Sequence, residues 1–277
     1  MSQNLSPKVR AGLSFRAITI GLFLAFMILP VVATALFSVS IRWDRSILPE
    51  GLTFDWWIKV TSERGFQRSL TNSLTISLST VLASLALIAP TAFWVHTRVP
   101  RAKPLMEVLV ILPFGFPAVV LALGLVRLYS PLPIAVVNTP AMLVAAYVVI
   151  TLPFMYRAIM NGLEAIDTAA LSNAARSLGA NDVQIFLKVI LPNIRGGLVS
   201  GSLLVFSAAF AEFALANLLV GTRLKTFPIY LVEFTRFDAR QASALALISF
   251  SAAWLVSMAL LSSSARRPST RGSSATA

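Results

Sequence analysis

Long apolar runs separated by short polar segments dominate this chain. Six runs are near or above the roughly 20 residues that a helix needs to cross the hydrocarbon core of a bilayer. They predict six membrane-spanning helices, so the expected fold is all-α and polytopic. The runs are Ala17–Ile41, Ser69–Val95, the stretch between Glu107 and Arg127, about Ala135 to Tyr156, Gly196 to about Thr222, and Gln241–Ala265.

The first run also has some features of a cleaved signal peptide. Three basic residues precede it, and Ala33-Thr34-Ala35 fits a small-x-small cleavage site. However, the apolar run continues to Ile41 and is longer than a typical signal core. The length therefore favours a retained first transmembrane helix over residues 17–41.

Composition supports a membrane protein. Of the 277 residues, 57% are hydrophobic and 12% are charged, whereas soluble domains usually carry about 25% charged residues. The net charge of +12 is spread between apolar runs, which favours lipid head groups as the counterpart and argues against a nucleic-acid partner. Because the chain has no cysteine, disulfides and thiolate metal sites are excluded.

The distribution of Lys and Arg predicts that both termini are cytoplasmic. In that orientation, 13 of the 23 basic residues fall in cytoplasmic segments. Residues 1–16 then form a cytoplasmic N-terminus, and the Ser-rich, basic residues 263–277 form a cytoplasmic tail that we expect to be disordered. The long polar loop between the fourth and fifth spans also lies in the cytoplasm.

That loop contains "LSNAARSLGANDVQIFLKVILP", residues 171–192, which is too polar to cross a bilayer. Asp167 is placed to cap a first helix, because its side chain can accept a backbone N–H of the first turn. Helical spacing predicts one face formed by Leu171, Ala174, Ala175 and Leu178. Gly179 then stands where a helix end often requires a left-handed residue.

A second helix is predicted to follow this glycine. Asn181 with Gln184 is close to a capping box, and Pro192 should end the helix or set an angle before the fifth span. The apolar residues expected to be buried are Val183, Phe186, Leu187 and Ile190. Such a pair of helices fits either a cleft on another protein or the surface of a membrane, and amphipathicity alone does not distinguish the two.

The same residues resemble the conserved cytoplasmic loop of permease subunits of binding-protein-dependent ABC importers. The family pattern is Glu-Ala-Ala, a glycine four residues on, and later an aliphatic residue, one more, then Leu-Pro. Here Asn173 replaces the family glutamate, so this position carries no charge for the ionic contact that the family makes with its ATPase. The remaining pattern positions match in register, and they are Ala174, Ala175, Gly179, Val189, Leu191 and Pro192. Leu178 and Ala180 flank the glycine, and the resemblance implies that they belong to the same ATPase-docking loop.

The resemblance extends over most of the chain, from about residue 67 to residue 262, and implies an ABC transporter type-1 transmembrane domain. "FAEFALANLLVGTRLKTFPIYLVEF" is similar to permeases of the spermidine/putrescine, 2-aminoethylphosphonate and ferric iron type. The resemblance implies a bacterial inner-membrane permease with three kinds of partner protein. These are a dimer of ATP-binding cassette subunits, a second permease subunit (alike or different), and a periplasmic solute-binding protein.

A few residues inside the predicted spans are candidates for the solute path. Glu212 is the only acid well inside a span, and a bare carboxylate in hydrocarbon costs several kcal/mol. It either lines the path, or pairs with a donor and fixes helix packing. The other candidates are amides, which often bond neighbouring helices, and prolines, which bend helices: Asn217, Asn72, Pro113 and Pro117.

Sequence motifs of catalysis are missing. The chain has no G-x-x-x-x-G-K-[ST] phosphate loop and no H-E-x-x-H or G-x-S-x-G. We therefore expect a non-enzyme without a cofactor or metal, with ATP hydrolysis in a partner subunit. Two other function classes stay open at this point: a proton-coupled secondary transporter that uses Glu212, and a membrane scaffold without transport.

Overall fold

The computed structural model describes residues 7–44, 46, 48–131, 136–221 and 223–265, and most of them are helical. By internal packing the chain divides into two units, residues 1–63 with 231–249 and residues 64–230 with 250–277. The elements before residue 64 are α1 (Pro7–Val39), a short antiparallel pair β1 (Ser40–Arg42) and β2 (Glu50–Leu52), and α2 (Asp55–Ser62).

The helices that follow carry most of the predicted spans. Two short 3₁₀ turns, at Pro100–Ala102 and Leu112–Gly115, flank α4, and a π-helical stretch, Ile185–Ile190, separates α8 from α9. The α-helices are α3 (Arg64–Thr97), α4 (Lys103–Ile111), α5 (Ala118–Tyr129), α6 (Pro140–Glu164), α7 (Thr168–Ser177), α8 (Asp182–Gln184), α9 (Leu191–Asn193), α10 (Arg195–Ala211), α11 (Ala214–Leu219), α12 (Phe227–Thr235) and α13 (Ala239–Ala265).

Four helices in the described part of the chain are long and apolar enough to cross a membrane by themselves, and they match the first, second, fourth and sixth predicted runs. Two further spans are possible if each of two bent helix pairs counts as one. The all-α, polytopic fold with about six spans is therefore confirmed. The predicted start of the fourth span at Ala135 lies outside the described residues, and α6 begins at Pro140 after an N-cap by Thr139.

The third and fifth runs are broken helices, and the prolines of the third run had suggested a bend there. In the third, the segments Pro100–Gly115 and Ala118–Tyr129 meet at 96°, where Pro113 and Pro117 remove backbone donors. In the fifth, α10 ends at Ala211, Glu212 is extended, and α11 starts a new helix at Ala214. A hydropathy average along the sequence does not detect such breaks, so it predicts each bent segment as one continuous span.

In the first unit, tryptophan side chains connect α2 to the end of α1. The Trp56 indole N–H donates to the carbonyl of Ser40 at 2.9 Å, and the Trp57 indole donates to the Ser38 hydroxyl at 3.3 Å. The Arg240 guanidinium lies 4.3 Å from the centre of the Trp56 ring. By contrast, the apolar side chains of α1 between residues 16 and 32 are exposed, as expected of a helix that faces lipid.

In the second unit, α3, α6 and α10 pack against one another and form the core. The face of α3 that packs inward is rich in small hydroxyl residues, whereas Leu78, Leu82 and Leu87 of the same helix are exposed. Small residues let helix backbones approach closely, and lipid covers the larger apolar side chains. The buried hydroxyl residues are Ser69, Ser73, Ser77, Thr80 and Ser84.

The helices α6 and α10 approach most closely at two glycines of α10, Gly197 and Gly201. A Cβ on Gly197 would lie 3.3 Å from the carbonyl carbon of Ala158 and still closer to its oxygen. A Cβ on Gly201 would lie 2.8 Å from the sulfur of Met155. The small-xxx-small spacing of these glycines is the pattern that brings membrane helices together.

Candidate functional site

The loop after α6 begins with the predicted helix α7. The Asp167 carboxylate accepts the backbone N–H of Ala170 at 2.9 Å, which confirms the predicted cap. Thr168, Ser172 and Ala175 are buried on its inner face, and Leu171 is half-buried. Of the predicted apolar face, Ala175 and Leu171 meet the bundle, whereas Ala174 and Leu178 are exposed. Helical spacing does not show which side of a small-residue helix meets the bundle.

The glycine ends α7 as predicted. Gly179 has φ +83°, and its N–H donates to the carbonyl of Arg176 at 2.9 Å. The next N–H, of Ala180, reaches back to the carbonyl of Ala175 at 3.1 Å. This pair of bonds is a Schellman motif, which satisfies the last carbonyls of a helix and fixes the direction of the chain.

The second helix starts with the expected capping box, in which Asn181 and Gln184 bond reciprocally at 2.9 and 3.0 Å. Phe186 and Ile190 pack inward, but Val183 and Leu187 are exposed. Ile185 is buried in their place. The physical reason is the π-helical stretch over residues 185–190, whose wider turns change the face that an α-helical pattern predicts.

An exposed patch results at the junction of the two helices. We call it the knob, and its members are Asn173, Ala174, Ser177, Leu178 and Gly179. Leu178 is 89% exposed, although a leucine is normally buried in protein or lipid. The knob therefore combines one large apolar side chain with small residues around it.

The loop contacts the end of α3. Asp182 accepts from Arg98, the first residue after α3, at 2.7 Å and from Arg176 at 3.1 Å. The rings of Phe93 of α3 and Phe186 of the loop lie 5.3 Å apart. These contacts join the loop to the end of α3.

The last three positions of the family pattern lie where the loop joins α10. Val189 and Leu191 are half-buried against the core of the second unit. Pro192 lies in α9, and the axis then turns by 77° between Asp182–Asn193 and Arg195–Ala211. The proline does not end its helix at once, but the expected angle before the fifth span is present.

Glu212 stands at the break between α10 and α11. Its carboxylate accepts the backbone N–H groups of Ala214, Leu215 and Ala216 at 3.1, 2.9 and 3.3 Å. The Tyr147 hydroxyl donates to the Glu212 carbonyl at 3.2 Å. A carboxylate at a helix N-terminus is stabilised by these donors and by the helix dipole, so its immediate surroundings give Glu212 a structural role.

The structure does not bring the other candidates for the solute path together with Glu212 in one described cavity. Asn72 donates to the carbonyl of Lys225 at 2.8 Å, which ties α3 to the segment before α12. Asn217 is exposed on α11, and both Pro113 and Pro117 lie at the bend of the third run. Whether any of them meets solute remains a prediction.

Sequence reasoning missed a cavity between α6, α10 and the end of α4. Its volume is about 680 Å³, and its walls include Phe114, Phe154 and Leu204. Among the described residues that line it, Arg157 carries the only charge, and Asn161 and Ser200 are polar. Hydropathy treats Arg157 only as the end of the fourth span, so no sequence signal marked the cavity.

Comparisons with known proteins agree with the fold and with the family resemblance. A family model described as "Binding-protein-dependent transport system inner membrane component" matches residues 90–267. The spermidine/putrescine transport system permease protein PotB of Escherichia coli K12 is 28% identical over 219 residues, which cover 74% of this chain and 79% of that protein. The sulfate transport system permease protein CysW of Synechocystis is 30% identical and covers 83% of this chain and 85% of CysW.

A solved structure shares the fold. It is the crystal structure of a bacterial ABC transporter involved in the import of the acidic polysaccharide alginate, with a TM-score of 0.74 and 19% identity, covering 94% of this chain and 99% of that one. A second structure, of the alginate transporter with a pentasaccharide-bound periplasmic protein, gives a TM-score of 0.67 at 16% identity. The family model covers more than half of the chain, and so the chain belongs to the binding-protein-dependent transport system inner membrane components, the permeases of ABC importers.

Proposed function

We propose that this permease moves solute across a bacterial inner membrane when a separate ATPase pushes on the knob. The observation that carries this proposal is the exposure of Leu178 and its small neighbours on a loop that is otherwise well anchored. Burial of this side chain in a cleft on another protein would remove apolar surface from water. The knob also contains the centre of the family loop pattern.

The anchoring of the loop explains how a push is transmitted. Both helices of the loop have side-chain caps, Asp182 pairs with Arg98 directly after α3, and α9 continues to α10 through one residue. Movement of the knob therefore shifts α3 and α10, which are two of the three core helices. Rigid-body shifts of packed helices are an established way to switch between two states.

The partners follow from the same proposal. Two ATPase subunits each hold the knob of one permease, and two permeases, alike or different, enclose the path. A periplasmic binding protein delivers solute; the alginate transporter has been crystallised in complex with such a periplasmic protein. Both termini then lie in the cytoplasm. The proton-coupled alternative is less favoured because three backbone N–H groups already hold the Glu212 carboxylate.

The test replaces Ala174 by Phe and measures two quantities, co-purification of the cognate ATPase and ATP-driven uptake. Both should fall strongly, because a ring on this exposed position blocks close approach of a partner. The matched control is Ala169→Phe, an equal change at an exposed position of α7 that lies about 140° away around the helix. Membrane insertion should be normal in both variants.

A second substitution separates shape from side-chain size. Gly179→Val forces φ +83° on a β-branched residue, which costs about 1–3 kcal/mol of local strain. No atom lies within 4 Å of the new Cβ, so a clash of that Cβ inside the permease does not add to this strain. If both variants bind the ATPase and transport solute like the unmodified protein, the knob is not the docking site.

A further inference from the structure

Three side chains that can donate hydrogen bonds line the cavity between α6 and α10. Arg157, Asn161 and Ser200 are all exposed at its wall, and among the described residues none of the three side chains makes a hydrogen bond or ion pair with another protein group. A guanidinium presents five N–H donors in a planar fork that matches oxygen-rich anions. The donors of all three side chains are therefore available to a ligand in this cavity.

The shape of the cavity leaves room for a ligand at this point. Gly196 is on its wall, and a Cβ there would meet nothing within 4 Å. The first turn of α10 also contributes to the wall, and helix N-termini favour negative charge. The lining also includes the apolar side chains of Phe114, Phe154 and Leu204.

A smaller cavity of about 190 Å³ adjoins the first, because Arg157 and Asn161 line both. It contains the Tyr156 hydroxyl. Tyr156 is 2% exposed, and its hydroxyl has no hydrogen-bond partner among the described atoms. Its other charged groups are the paired Lys103 and Glu164, and Glu107. The Lys103–Glu164 pair is internally neutral, which leaves Arg157 and Glu107 as the unpaired charges.

The geometry points to a binding site for an anionic, oxygen-rich group, such as a sulfonate, phosphonate, sulfate or carboxylate, on Arg157 and Asn161 in the larger cavity. A polycation such as a polyamine would be repelled from that cavity, where Arg157 is the only charge among the described lining residues. The group belongs either to a free solute or to a lipid head group. That the free anion is the transported solute rests on the proposed function; the site itself does not.

The test uses the natural lack of cysteine in this chain. Leu204→Cys places a single thiol in the cavity and keeps all three donors. In full-length protein in phosphatidylcholine nanodiscs, the labelling rates with a sulfonated and a trimethylammonium methanethiosulfonate are compared. The positive potential of Arg157 should favour the sulfonated reagent, and Arg157→Gln should lower the ratio of the two rates by about three- to fivefold.

Two control variants test whether the ratio of the labelling rates depends on the charge of Arg157. Arg157→Lys should keep most of the ratio. Arg101→Gln removes the same charge from an exposed residue that lines neither cavity, and it should leave the ratio unchanged. Added sulfate or methylphosphonate should slow labelling only when Arg157 is present, and spermidine should not.

The source of the anion is then decided by the lipid. Protection by free sulfate or methylphosphonate in phosphatidylcholine indicates a soluble solute. Protection that appears only with phosphatidylglycerol, without added anion, indicates a lipid head group. Any of three results overturns the site. The ratio of the two labelling rates is unchanged by Arg157→Gln, spermidine protects the thiol, or protection is absent in both lipids. Because labelling needs no ATPase, this result is independent of the outcome at the knob.

Discussion

The contact between α6 and α10 gives a quantitative prediction, tested by Gly197→Ala against Gly196→Ala. Both changes add the same methyl group in the first turn of α10. At residue 196 the new Cβ meets nothing within 4 Å, whereas at residue 197 it meets the carbonyl of Ala158 at 3.3 Å from its carbon and closer to its oxygen. A backbone carbonyl cannot rotate away, so the helices must separate.

The expected magnitudes follow from two opposing effects. Replacing glycine by alanine in a helix stabilises it by up to about 1 kcal/mol at either position. Overpacking at residue 197 costs about 1–3 kcal/mol, so the two variants should differ by that amount. For a chain of this size the difference corresponds to roughly 2–12 °C in Tm. Gly201→Ala should lie between them, because the Met155 thioether it meets is flexible.

The measurement is thermal unfolding of purified protein in one detergent, followed by tryptophan fluorescence and by the fraction that stays monodisperse. We expect the order of Tm to be Gly196→Ala, then Gly201→Ala, then Gly197→Ala. Equal values for Gly196→Ala and Gly197→Ala would show that α6 and α10 are not in close contact at Ala158, and the arrangement of the core would be wrong.

Three further predictions concern single hydrogen-bonded groups. Glu212→Ala should destabilise the protein by about 0.5–2 kcal/mol through loss of the α11 cap, whereas Glu212→Gln keeps an acceptor and should retain ATP-driven uptake; lost uptake in a stable Gln variant would assign the carboxylate to transport. Ser73→Ala removes the acceptor that the Phe227 N–H reaches at 2.7 Å and should cost about 1–3 kcal/mol in an unfolding assay, while Ser79→Ala on the same helix should cost little. Burial by itself would raise the pKa of Asp238, but hydrogen bonds from Arg240 and Gln241 outweigh it and hold that pKa below its usual value. The stability that Asp238 contributes is therefore present above the ordinary aspartate pKa and is lost as pH falls through the lowered pKa. Trp56 fluorescence should change in that pH range, and Asp238→Asn should abolish the change.

Local features of the fold were readable from the sequence. Apolar runs of sufficient length located the spans, because every helix that crosses hydrocarbon must satisfy its own backbone. The cap at Asp167, the left-handed Gly179 and the capping box at Asn181 depend only on neighbouring residues, so they too could be predicted. The same holds for the angle before the fifth span, which Pro192 indicated.

The orientation of each helix was decided only by the tertiary structure. Lipid and protein interior are equally apolar, so hydropathy does not tell that α3 buries Ser73 and Ser77 and exposes Leu82. The face of the second loop helix depended on a π-helical stretch, and the role of Glu212 depended on a helix break. Arg157 and Ser200 line one cavity because α6 and α10 pack together. Residues that are distant in the sequence but close in the structure produce no periodic pattern in the sequence.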